Sequence, residues 1–205
     1  MLDWTRARPQ GDEIPEPAMA RLGAQILPRG RLVSVSGPDP ERRQQRLWRW
    51  AEHLHRRGCS VLWLDPLSFC LDRLLDGEAS FLVLSPRSYE AVAGLLERLV
   101  PIGRPMTIFL DDFAALRPEA SQVDGTEPVP LKWRHDVRHL ARWTGFCWRY
   151  QCTLVIGRRG YDQGRDPVDD HAVVRFQVSP TRGSLQLLEF RTLPPGPGWR
   201  RLPGD

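Results

Sequence analysis

The residues equipped for phosphate chemistry gather around one short segment. An apolar run at residues 32–35 leads into Gly37-Pro38, and a charged helical pattern opens with Glu41-Arg42-Arg43-Gln44. A strand, a glycine-led loop and a helix start form the layout of a phosphate-binding loop, where backbone N–H groups converge on phosphate oxygens. Such a loop also needs a lysine on the phosphates and a hydroxyl for magnesium. Neither stands after Gly37, and Lys132 is the only lysine of the 205 residues, so no displaced copy of the motif exists. Asp111, at the end of the apolar run 106–110, is a single strand-end carboxylate, which by itself is weak evidence for magnesium binding.

The other chemistry-bearing groups are basic and aromatic. A helical pattern over residues 131–150 carries His135, Arg138, Arg142 and Arg149 on one stripe, with Trp143 and Tyr150 expected to be partly exposed beside it. Val137, Leu140, Ala141, Thr144 and Trp148 are expected to face a core. Basic residues interleaved with aromatics suit a nucleic-acid backbone with base stacking; a solvated basic face fits the same pattern. Arg158-Arg159 opens a further loop expected over 157–170, but Asp162, Asp166, Asp169 and Asp170 follow and repel phosphate. His171 follows two aspartates; expected on a strand, the three would point to alternate faces, so no metal site is expected. The four cysteines are scattered without Cys-x-x-Cys spacing, and structural thiols are expected rather than zinc ligands or disulfides.

These groups must be positioned by alternating strands and helices. Apolar runs at 31–36, 60–64, 81–84, 106–110 and 153–156 read as strands, apolar throughout. Residues 41–57, 87–100 and 131–150 read as helices, with a short one through 69–75. The stripe Leu47, Trp50, Ala51 and Leu54 is the buried face of the first helix, and Gly58 terminates it. Residues 117–130 read as a long polar loop. Residues 172–178 and 184–191 read as two further strands joined as a hairpin. Strands buried on both faces and separated by helices imply an α/β fold, with a mostly parallel sheet flanked by helices and a C-terminal β-hairpin at one edge.

Composition bounds the rest. The length suits one domain with a sizeable core. Net charge is +4 and the pI is near 9.2, mildly basic. No apolar run spans a bilayer, and Asp3, Asp12 and Glu13 leave no apolar signal core, so a cytoplasmic protein without a membrane partner is expected. Residues 1–20 read as an N-terminal arm anchored by Trp4, residues 21–192 as the core, and residues 193–205 as a Pro/Gly-rich tail carrying Trp199.

Several strings in order resemble the ATPase core of the RecA recombinase family: Leu22-Gly23-Ala24, then Leu27-Pro28 and Gly30-Arg31-Leu32-Val33 running to Gly37-Pro38; the strand ending at Asp65; Ile108-Phe109-Leu110-Asp111; and Cys152-Thr153-Leu154-Val155-Ile156. The resemblance implies a RecA-like fold over roughly residues 20–192. It also sets Arg42 in place of the loop glycine, Arg43 in place of the lysine and Gln44 in place of the magnesium hydroxyl. Leu67 stands for the catalytic glutamate, and Arg158-Arg159 for the Asn-Gln pair that senses the terminal phosphate. Gly37, Arg42, Arg43, Gln44 and Asp111 are therefore expected to be a vestigial nucleotide site, with Arg42 and Arg43 free for an anion or a partner, no catalytic residues and no cofactor or metal.

A compact RecA-like chain with a degenerate loop is most similar to the ImuA family of the bacterial SOS mutagenesis cassette. That resemblance implies an adaptor in translesion synthesis whose partners are an ImuB-like Y-family polymerase homologue, an error-prone DNA polymerase and RecA itself. Arg138, Arg142, Arg149, Arg158 and Arg159 are the candidate DNA or partner contacts, and Trp4 and Trp199 the candidate docking residues. The alternatives are a SulA-like cell-division inhibitor acting on FtsZ, and a RecA paralogue with residual nucleotide or DNA binding.

Overall fold

The first strand sits inside the sheet, with a strand paired along each of its edges. β1 (Leu32–Ser36) is buried along its whole length. In this computed structural model, which describes residues 30–68, 70, 80–100, 106–116, 129–158, 166–179 and 185–190, it pairs with two later strands. The others are β2 (Ser60–Leu64), β3 (Leu82–Leu84), β4 (Met106–Leu110), β5 (Thr153–Arg158), β6 (Val174–Val178) and β7 (Leu185–Phe190). Their order is β3-β2-β4-β5-β1-β6-β7. The first six strands are parallel throughout, and β7 runs antiparallel to β6 at the edge. The expected α/β architecture is thus present among the described residues.

Alternation along the strands builds two cores. Val33, Val35, Trp63, Phe109, Val155 and Phe176 face one side, where α1 (Pro40–Arg56) packs with Leu47, Trp48, Trp50, Ala51 and Leu54. This core is aromatic: Trp48 meets Trp63 edge-on at 5.1 Å, Trp63 stacks on Phe109 at 5.7 Å, and Trp50 meets Phe176 at 5.7 Å. Each such pair adds about 0.5–1.5 kcal/mol beyond area burial. Leu32, Leu62, Leu64, Ile108, Leu110, Leu154 and Ile156 face the other side, against α2 (Tyr89–Leu99), α3 (Val129–Tyr150) and α4 (Pro167–His171).

The ends follow from capping. Asp39 caps α1, Pro40 opens it, and Gly58 at φ 82° ends it, as its position in sequence requires. Ser88 Oγ accepts from Ala91 N–H at 3.0 Å and caps α2.

Three expectations need correction. Residues 157–170 are not one loop: Gly157 and Arg158 belong to β5, and Pro167–His171 is a helix capped by Asp166, whose Oδ1 accepts from Val168 N–H at 2.8 Å. Val129 and Pro130 are the first turn of α3 rather than the end of a loop. The buried stripe of α3 is Asp136, His139, Leu140, Trp143 and Cys147, so Trp143 is interior and Trp148 points outward. Aspartate and histidine at core positions hid this phase from a hydrophobic pattern. The helix expected over 69–75 (apart from Cys70), the arm 1–20 and the tail 193–205, with Trp4 and Trp199, lie outside the described residues.

Candidate functional site

The carboxyl ends of β1, β4 and β5 converge where open α/β sheets bind ligands, outside the strand ends at a change of strand order. Gly37 leaves β1 there, Asp111 leaves β4, and Gly157 lies on β5 between them, opposite Val35. An added Cβ at Gly157 would collide with Asp111 Oδ1 and lie 2.9 Å from Leu47 Cδ1 and 3.2 Å from Arg43 Nε. The missing side chain makes room for a single feature, the contact of α1 with the end of β4.

That contact is an ion pair. Arg43 Nε donates to Asp111 Oδ1 at 2.9 Å, and its Nη2 lies 4.0 Å from Asp112 Oδ2. Arg43 is 0% exposed, so the expectation that it is free for an anion or partner is overturned. The physical reason is helical phase: Arg43 stands four residues before Leu47, seven before Trp50 and eleven before Leu54, on the buried stripe. Burial pushes the Asp111 carboxyl above its ordinary range, and the Arg43 charge and hydrogen bond oppose this. Arg43 Nη1 and Nη2 make no hydrogen bond among the described residues.

The helix N-terminus is equally occupied. Pro40 has no N–H, the N–H groups of Glu41 and Arg42 both go to Asp39 Oδ1 at 3.0 and 3.2 Å, and Arg43 N–H goes to the Asp39 carbonyl at 3.1 Å. Gly37 N–H bonds the Arg158 carbonyl at 3.2 Å. The amides of Gly37, Glu41, Arg42 and Arg43 thus have internal partners, and Pro38 and Pro40 have none to offer a phosphate. Arg42 is exposed and paired with Asp39 at 3.1 Å, and Gln44 Nε2 donates to Cys70 Sγ at 3.3 Å. Gly37, Arg43 and Asp111 thus meet in one place, with Arg42 and Gln44 pointing away into separate contacts.

Arg158 is the second correction. It is 7% exposed and turns inward, because alternation along β5 puts it on the face opposite Gly157. Its Nε reaches Ser34 Oγ at 3.2 Å and Asp169 Oδ1 at 3.1 Å, its Nη1 meets Asp166 Oδ2 at 3.1 Å, and its Nη2 pairs with Asp169 Oδ2. Ser34 Oγ donates to Asp169 Oδ1 at 2.8 Å, and Arg175 Nη2 meets Asp169 Oδ2 at 2.7 Å. Burial raises the Asp166 carboxyl, opposed first by the Arg158 charge. This network ties β1, β5, β6 and α4 together, so Arg158 is a structural residue rather than a DNA or partner contact. Sequence reasoning missed Ser34, Asp166, Asp169 and Arg175 because their approach is made by sheet order. Asp112 and Gly157 were missed as well, and so was the burial of Arg43, the one of these with a readable signal, its place on the stripe.

Arg138, Arg142 and Arg149 are exposed along α3 as expected; Arg142 pairs with Glu97 of α2. Arg159 lies outside the described residues. No group of three or more His, Cys, Asp or Glu with metal-holding geometry occurs among the described residues, and no described helix is long and apolar enough to cross a membrane. No protein-family profile matches the chain, and no curated protein matches it.

Proposed function

We propose that this chain is a RecA-like protein that works without hydrolysing nucleotide, as an adaptor in SOS-induced translesion DNA synthesis. The observation that carries the non-catalytic reading is the Arg43–Asp111 pair. A guanidinium with no exposed surface occupies the space where a phosphate-binding loop would face a strand-end carboxylate. The amides at the start of α1 are capped by Asp39, which supports the same reading. The choice of pathway and partners rests on the resemblance to the ImuA family. The partners are an ImuB-like Y-family polymerase homologue, the error-prone polymerase and RecA.

Two measurements test this. In a thermal-shift titration with Mg-ATP, the purified chain is expected to show no saturable rise in Tm. A saturable rise, by mass action on the folded state, would overturn the closed-site reading. Co-expression with the Y-family homologue is expected to yield a stable complex on gel filtration, and two separate peaks would remove the adaptor assignment.

A further inference from the structure

We propose that the outward face of α3 is a track for single-stranded nucleic acid, a role that stands on surface residues and does not depend on the adaptor reading. With Arg134 set at 0° and 100° per residue, Arg138, Ala141, Arg142, Gly145, Trp148 and Arg149 fall within about 80° of it. All six are exposed, while Asp136, Leu140, Trp143 and Cys147 fill the opposite side. The sole acid between Arg134 and Gln151 is Asp136, which is buried and accepts from the Tyr89 hydroxyl. Four cations thus line about 22 Å of one helix face at 1.5 Å rise per residue.

Three further features fit a strand of nucleotides better than water alone. Trp148 is 52% exposed, a large indole at the end of the arginine row. An exposed aromatic beside arginines is the pairing used by proteins that stack bases and track phosphates. Gly145 lies in the helix interior, where glycine is unfavourable, yet no described neighbour would meet a Cβ there. With Ala141 it leaves part of this face without long side chains. Glu97 is the acid that pairs with Arg142; both side chains are more than half exposed, and a phosphate can displace such a pair.

The test is fluorescence anisotropy of the full chain with labelled oligothymidylate, with oligouridylate of the same length to separate DNA from RNA. The expected result is binding at low salt with a log–log salt slope near −3, from four arginines at about −0.7 each. Arg138→Glu with Arg149→Glu is expected to weaken binding more than about tenfold and to flatten the slope. Trp148→Ala is expected to weaken it at least about fivefold through lost stacking, with Trp148→Phe retaining most of it. Far-UV circular dichroism checks that each exposed substitution leaves the fold intact. Absence of binding at low salt, indifference to Trp148→Ala, or tighter binding to a duplex of equal phosphate count would each overturn the proposal.

Discussion

At the residue scale the molecule turns on Arg43. A buried ion pair is weak support for stability in itself, because desolvation consumes much of the Coulombic attraction, but removing one partner is severe. Asp111→Asn is expected to cost about 3–5 kcal/mol, since it leaves the Arg43 guanidinium buried without its carboxylate. Arg43→Met should cost a similar amount by leaving Asp111 and Asp112 side by side in the interior. Replacing both with apolar residues should cost far less than the sum of the two. Urea denaturation of the four proteins checks this, and additive losses would mean that the pair is not a unit. The place of Arg43 was legible in its spacing to Leu47, Trp50 and Leu54. What was not legible was its partner, because Asp111 lies 68 positions away and meets it over Gly157.

At the element scale α3 carries a proton-sensitive residue on its buried stripe. His139 stacks on Tyr89 with ring centroids 4.7 Å apart, and Glu90 lies 3.8 Å from its Nε2. Burial lowers its affinity for a proton; Glu90 opposes that, and His135, Arg138 and Arg142 reinforce it. Its folded value thus lies below the ordinary 6.5, so the unfolded chain takes up the proton first as pH falls. The stability contributed by neutral His139 is present above pH 6.5 and is lost as pH drops through the folded value. His139→Phe is expected to flatten the loss of Tm between about pH 7 and 5. An unchanged slope across a pH series of thermal melts would assign the loss to other groups. The existence of this helix was plain from its pattern, and its phase was not. Asp136 and His139 read as surface residues until Tyr89 and Glu90 are placed against them.

At the scale of the whole molecule the two cores divide the cysteines. Cys59 is half-buried at the start of β2, whereas Cys70, Cys147 and Cys152 are interior. Cys147 and Cys152, five residues apart, are brought together by the turn at Gln151. Cys152 N–H bonds the Cys147 carbonyl at 3.1 Å, and the hydrogen bond that the Cys147 thiol donates to the Cys152 sulfur, together with burial, pushes the Cys147 thiol well up. Labelling with a maleimide in native buffer is therefore expected to modify Cys59 first. The other three should react only as fast as the core opens. Mass spectrometry of digested samples along a time course reads this order. Early labelling of Cys147 would show that the α3 core breathes locally.

Taken alone, the amino-acid sequence determined the alternation of apolar strands with helices, the parallel sheet that this alternation demands, and the loss of lysine and hydroxyl after Gly37. These follow from period, propensity and residue chemistry, which act within a few neighbours. The α1 stripe and its Gly58 terminus were equally local. Tertiary structure alone decided that Arg43 would be neutralised by Asp111, that Arg158 would turn inward to Asp166 and Asp169, and that Trp148 rather than Trp143 would face water. Each of these depends on which strand lies beside which. A charged side chain is tolerated inside only where a counter-charge, brought from a distant segment, offsets part of the cost of taking it out of water.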